Sequence, residues 1–175
     1  MLLVALSAGW LLTPSIATLG TVTLLDFGWG CLAGLGLLAI VLWGIDSRFG
    51  SRLQLRRDVD QLIHVFENAK PVDLVVISIL AGAGEEALFR GLLLFHLSAW
   101  WGLLPGVIVT SLLFGFAHCI SVSYVVFTTV IGIIMCGLFL AFDNLFVPMV
   151  AHTVYDLGAL IYVKYFRKRL LGAPQ

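Results

Sequence analysis

Six residues on three hydrophobic segments are of types that transfer protons or balance charge. Glu85, Glu86 and Arg90 lie in "GAGEEALFR", His118 ends "FGFAH", and His152 and Asp156 bracket "HTVYD". The stretches around them, such as "LVVISILA" and "GLLLFHLSAW", read as hydrocarbon-facing helix. A charge at the centre of a membrane helix costs about 2.5–3.5 kcal/mol, so the three on one helix cost on the order of 8–10 unless paired. Groups kept at that cost do acid–base chemistry, relay protons or ions, or staple helices to one another.

Spacing separates the roles. Glu86 and Arg90 are four residues apart, with the acid N-terminal to the base, the favourable order for an ion pair on one helix face. Glu85 lies about 100° around the helix from Glu86 and cannot share that pairing equally. One carboxylate is therefore left over and needs a partner from another helix or a water-filled cavity. His118 is available, and so are His152 and Asp156, which share a face at i,i+4. Three helices that each bring polar groups inward are hard to explain by packing alone. His96, near a span end, and His64, in a polar loop, call for no function. Asp26 and Asp143 are expected in turns.

The elements that must position these groups follow from composition. The chain has 175 residues, 61% hydrophobic and 11% charged, with a mean hydropathy of +1.07; an ordinary soluble domain is about 25% charged. So short a chain has too little interior to hide that much apolar surface from water, so the implied solvent is a bilayer. About 20 apolar residues span one, and six segments approach that length: 2–25, 27–45, 74–97, 104–121, 122–142 and 145–166. The expected fold is an all-α, polytopic membrane helix bundle of about six transmembrane helices. It divides into two N-terminal helices (1–45), an amphipathic loop (46–73), a four-helix core (74–166) and a basic tail (167–175). "MLLVALSAGW" lacks the positive start of a signal peptide and reads as a retained membrane segment or as a start shortened from a longer chain. Gly30 and Gly34 form a GxxxG pair suited to close helix packing. Asp73, after Pro71, is expected to cap the third span.

Charge distribution sets the expected orientation. The 46–73 stretch holds five Lys/Arg and five acids, and "KYFRKRLLGAPQ" holds four Lys/Arg. The turns near 98–104 and 143–144 hold no Lys or Arg. Positive residues mark the cytoplasmic side, so the loop and both termini are expected there, in the plasma (inner) membrane of a prokaryote. Trp29, Trp100 and Trp101 then lie at the outer interface and Trp43 at the inner one. The loop is expected to form a short helix along the headgroups. Cys31, Cys119 and Cys136 have neither disulfide nor zinc-knuckle spacing. The expected partners are membrane lipids and a peptide or lipidated-protein substrate, with no nucleic acid.

"EEALFR", "FGFAH" and "HTVYD", in that order on successive hydrophobic helices, match EExxxR, FxxxH and Hxxx(D/N). This set resembles the CPBP family of intramembrane proteases, which includes the type II CAAX prenyl endopeptidases and bacterial, Abi-like proteins linked to bacteriocin processing and self-immunity. The resemblance covers about residues 74–160. It implies hydrolysis of a peptide bond by activated water, with Glu85 as general base, Glu86 and Arg90 holding the helix, and His118 binding the water. His152, with residue 156, would face the developing oxyanion. The prenyl-protease branch has Asn where this chain has Asp156. An ionised Asp repels an oxyanion, so Asp156 is expected to orient His152, to be protonated, or to help hold a metal. The family counts as metalloproteases, which implies Zn2+ held by Glu85, His118 and His152 around an open position. There is no HExxH, and a metal-free glutamate–histidine water site fits the same residues.

Two other classes fit buried ionisable groups: a non-catalytic membrane immunity or scaffold protein, and a proton-coupled transporter. The absence of inverted-repeat symmetry counts against the transporter.

Overall fold

The computed structural model describes residues 22–66 and 68–167, and these form helices joined by short turns, with no strand among them. The expected first span, 2–25, lies almost wholly outside the described residues, as does the tail beyond Arg167. In chain order the elements are α1 (Leu24–Asp46), α2 (Arg48–Arg52), α3 (Leu55–Phe66), α4 (Pro71–Glu86), a π-helical segment π1 (Ala87–Leu94), α5 (Phe95–Trp101), α6 (Leu103–Ala117), α7 (Val122–Phe142), α8 (Phe146–Ile161) and a second π segment, π2 (Tyr162–Arg167).

Local chemistry sets the boundaries. Asp26 is not in a turn, as expected, but in the first turn of α1. Its Oδ2 accepts the Thr23 backbone N–H at 2.9 Å, while Thr23 Oγ1 accepts from Asp26 N–H at 3.2 Å. This reciprocal capping box starts the helix ahead of the expected break. Asp73 is likewise not the cap of α4. Pro71, whose missing N–H is no loss in a first turn, begins the helix, and Asp73 Oδ2 reaches back to the Lys70 N–H at 2.6 Å. Gly102, at φ +91°, makes the turn between α5 and α6 with a conformation L side chains rarely adopt.

Polar groups point inward and apolar ones outward. Ser78, Glu86, Arg90, Thr110, Ser111 and His152 are buried, whereas Leu24, Leu25, Val122 and Leu104 are among many exposed apolar side chains. This is the reverse of a soluble protein and matches hydrocarbon as the surrounding medium. Leu24–Asp46, Val122–Phe142 and the run Phe146–Phe166 are long and apolar enough to cross a membrane; Leu103–Ala117 is apolar but shorter. The chain is thus an integral membrane helix bundle. Among the described residues three runs reach that length, and the expected first of six spans lies outside them. The expected third span is a run through α4, π1 and α5 whose helical type changes at the charged residues, and the expected fourth stops at Ala117, where residues 118–121 turn into α7.

Helix α8 runs through the middle, held by small residues that let backbones approach. A Cβ on Gly30 would stand 2.6 Å from Val150 Cβ, and one on Gly34 2.7 Å from both the Ala151 carbonyl oxygen and Val154 Cβ. The GxxxG pair therefore packs α1 on α8. On the other side of α8, a Cβ on Gly82 of α4 would collide with Thr153 Oγ1. That close approach sits one turn before Glu86 and brings the two charged helices into side-chain contact. Gly115 and Gly132 bring α6 and α7 together in the same way, against Thr129 and Ser111.

The 46–73 stretch forms α2 and α3. Leu55, Asp58 and Val59 are buried, and Val59 joins the apolar core with Leu37, Val41, Ile131 and Met135. Trp29, Trp43, Trp100 and Trp101 are all exposed.

Candidate active site

Glu86 and Arg90 are both fully buried, with Arg90 Nη1 2.9 Å from Glu86 Oε1. Arg90 lies in π1, and its Nη2 donates to the Gly132 carbonyl on α7 at 2.9 Å. π-helical turns recur at functional sites because their wider ring re-aims side chains. Here the segment coincides with the residue that must reach two helices. The Phe114 ring lies under the guanidinium, 4.7 Å from centroid to Cζ. That contact stabilises the buried cation through the electron-rich ring face without a second carboxylate.

The same Glu86 oxygen lies 2.7 Å from His152 Nδ1. Sequence spacing assigns the orienting of His152 to Asp156; the structure gives it to Glu86. The physical reason is the Gly82 approach, which sets α4 so close to α8 that an acid on the neighbouring helix meets the imidazole first. A carboxylate held by Arg90 accepts here, so Nδ1 donates and Nε2 is turned to the interior. His118 is held similarly. Its Nδ1 lies 2.9 Å from the Phe114 carbonyl, and a carbonyl only accepts, so Nδ1–H donates and Nε2 is free.

Both free nitrogens face Glu85. Its Oε2 is 3.5 Å from His118 Nε2 and 3.9 Å from His152 Nε2, and it is buried without a hydrogen-bond partner among the described residues. Glu85, His118 and His152 line one cavity of about 130 Å³, together with Tyr124, Tyr155 and Asp156. Asp156 thus belongs to the chamber, near the buried Ser78 hydroxyl, though without a hydrogen bond of ordinary geometry to it. All six expected residues converge, five of them in direct polar contact.

The donor types suit a metal. Two imidazoles with Nε2 free and an unpartnered carboxylate oxygen are what Zn2+ takes. As they stand, the described residues form no group of three or more His, Cys, Asp or Glu that could hold an ion.

Three participants carry no signal in spacing. Tyr155 stacks on His152, with centroids 4.9 Å apart and planes at 20°; it lies inside "HTVYD", but the motif leaves its position open. The Gly132 carbonyl is backbone and invisible to residue type. The Glu86–His152 bond spans 66 positions. His96 packs with Phe95 and Trp100 on α5 and does not line the cavity.

The family model described as type II CAAX prenyl endopeptidase Rce1-like matches residues 67–158, the stretch from just before α4 into α8. No curated protein and no solved structure gives a significant match to the chain.

Proposed function

Because the chain belongs to the type II CAAX prenyl endopeptidase Rce1-like family, we propose that it is an intramembrane endopeptidase whose Glu85, His118 and His152 set up water for attack on a peptide bond. One observation carries this reading: the unpartnered Glu85 Oε2 faces the free Nε2 atoms of two imidazoles whose Nδ1 atoms are already committed.

In this mechanism a water sits between Glu85 and His118. Glu85 takes its proton as the oxygen attacks the carbonyl carbon. His152, carrying a second proton and balanced by Glu86, donates Nε2–H to the oxyanion; a donor aimed in advance in a water-poor site lowers the barrier by several kcal/mol. The proton on Glu85 then passes to the leaving amine, closing the balance of one water consumed per bond cut. Arg90 stays paired with Glu86 throughout. Zn2+, if bound, would be held by Glu85, His118 and His152 and would polarise the same water.

The substrate is a membrane-borne peptide or lipidated-protein segment, either a CAAX-type prenylated terminus or a bacteriocin-related peptide. The distribution of Lys and Arg supports cytoplasmic termini. The purified protein, reconstituted in liposomes with matched prenylated and plain peptides, tests this. Cleavage that disappears in Glu85→Gln is expected; cleavage of none of the peptides, or equal cleavage by Glu85→Gln, overturns it. Dependence on the prenyl group decides between the two substrate types.

A further inference from the structure

The chamber around Glu85 has a wall that comes from outside the family-matched stretch. Val59 of α3 lines the 130 Å³ cavity together with Glu85, His118 and His152. Phe66, two turns further along the same helix, lines a second and more open chamber of about 390 Å³. His118, Tyr124 and Asp156 border both. Helix α3 therefore borders both the outer groove, through Phe66, and the inner catalytic cavity, through Val59.

Volume says what each chamber can hold. An apolar cavity of about 150 Å³ accommodates one benzene ring. The inner cavity thus takes one side chain, while a stretch of peptide backbone requires the outer groove. Beside the catalytic groups the inner walls are apolar, with Val41, Ile45, Phe127 and Ile131 joining Val59.

The attachment of α3 differs from that of the other walls. Helices α1, α4, α6 and α7 are locked by the glycine contacts described above. Among the described side chains, α3 is held by the buried Leu55 and Val59 and by a part-buried polar bond, in which Ser121 Oγ donates to Asp58 Oδ2 at 2.5 Å. An ion pair on the same helix, Arg56 with Asp46, is solvent-exposed and holds little. Ser121 caps α7 by accepting from the Tyr124 N–H and lies three residues after His118. The clasp therefore sits three residues in sequence from both His118 and Tyr124, which border both chambers.

We propose that α3 is the size-selecting wall of the substrate site: Val59 limits what enters the inner cavity, and the Asp58–Ser121 bond holds that wall shut. The proposal rests on the endopeptidase reading for the identity of the guest, but its test does not use catalysis. Thr128, buried and lining the inner cavity, is replaced by cysteine in a Cys31→Ser, Cys119→Ser background. Cys136, completely buried in the core, is kept as a reporter of an intact fold. Labelling by a bulky maleimide in detergent is followed at both cysteines by peptide mass spectrometry.

Asp58→Ala removes a hydrogen bond to a charged group, and labelling at position 128 should rise about tenfold or more. Asp58→Asn, whose amide oxygen still accepts from Ser121, should label like the parent. Val59→Trp should slow labelling by a similar factor while leaving Cys136 protected. Equal rates at position 128 in parent, Asp58→Ala and Val59→Trp overturn the proposal. Labelling of Cys136 in step with position 128 in Asp58→Ala also overturns it, since the bond would then hold the fold rather than the entrance. A selective wall in a protein that cuts none of the peptides would leave this inference standing and remove the endopeptidase reading alone.

Discussion

Glu86 and His152 are joined by a 2.7 Å hydrogen bond across two helices, and the acceptor oxygen also receives Arg90 at 2.9 Å. One carboxylate oxygen thus serves two donors. Arg90→Ala leaves this buried acid without its cationic partner, and breaking a buried pair from one side costs about 3–5 kcal/mol. Glu86→Gln should cost a similar amount, and the double variant should be no worse than the poorer single one. Denaturant unfolding in detergent measures all three. Additive losses would show that the two side chains do not act as a pair.

Glu85 stands apart from that pair, so its loss should affect chemistry and not folding. Glu85→Gln is expected to accumulate and melt like the wild type yet show no turnover. His118→Ala should do the same, and the double variant should match either, because groups acting as a unit are non-additive. Bound metal is measured on each purified protein. Stoichiometric Zn2+ in the wild type that is lost in Glu85→Gln would place the ion on these residues.

His152 is fixed by Glu86 at its edge and by Tyr155 on its face. Tyr155→Phe keeps the stacked ring and should retain most of kcat, whereas Tyr155→Leu should lower kcat with KM little changed. Asp156→Asn should keep measurable activity, since Asp156 does not hold the His152 Nδ1 proton. Kinetics on one cleavable peptide checks both. Complete inactivity of Asp156→Asn would give Asp156 a direct part in the reaction.

The packing of α1 on α8 makes a prediction independent of chemistry. Gly30→Leu drives a side chain into Val150 and should destabilise the protein by about 1–3 kcal/mol, read as a lowered Tm in detergent. Gly28, on the same helix, has nothing within 4 Å of an added Cβ, so Gly28→Leu should be neutral. Equal melting of the two variants would show that the helices are not in close contact at Gly30.

Orientation is testable with cysteines at exposed positions on opposite sides of the expected membrane. In cysteine-free protein, Ser51→Cys should react with an impermeant thiol reagent only after the cytoplasmic face is opened. Trp101→Cys should react from outside in intact cells. The reverse pattern would invert the topology.

Residue type and spacing alone determined that this chain belongs in a bilayer, that Glu86 and Arg90 pair, and that Glu85 is the carboxylate left over. Those conclusions depend on hydrophobicity and on helical periodicity, which are local and written along the chain. Helix starts were less legible, because a capping box or a proline shifts a boundary by a few residues without changing the apolar pattern, as at Asp26 and Asp73. Tertiary structure alone decided which acid holds His152. Asp156 has the right spacing within α8, but Gly82 brings α4 so close to that helix that Glu86 gets there first. It alone also decided that Gly132 lends a carbonyl to Arg90, that the expected third span turns π-helical at its charges, and that Val59 of α3 lines the cavity beside Glu85, His118 and His152. Each of these depends on the distance between helices, which is set by which small residues face one another across the bundle, and a single strand of sequence does not contain that pairing.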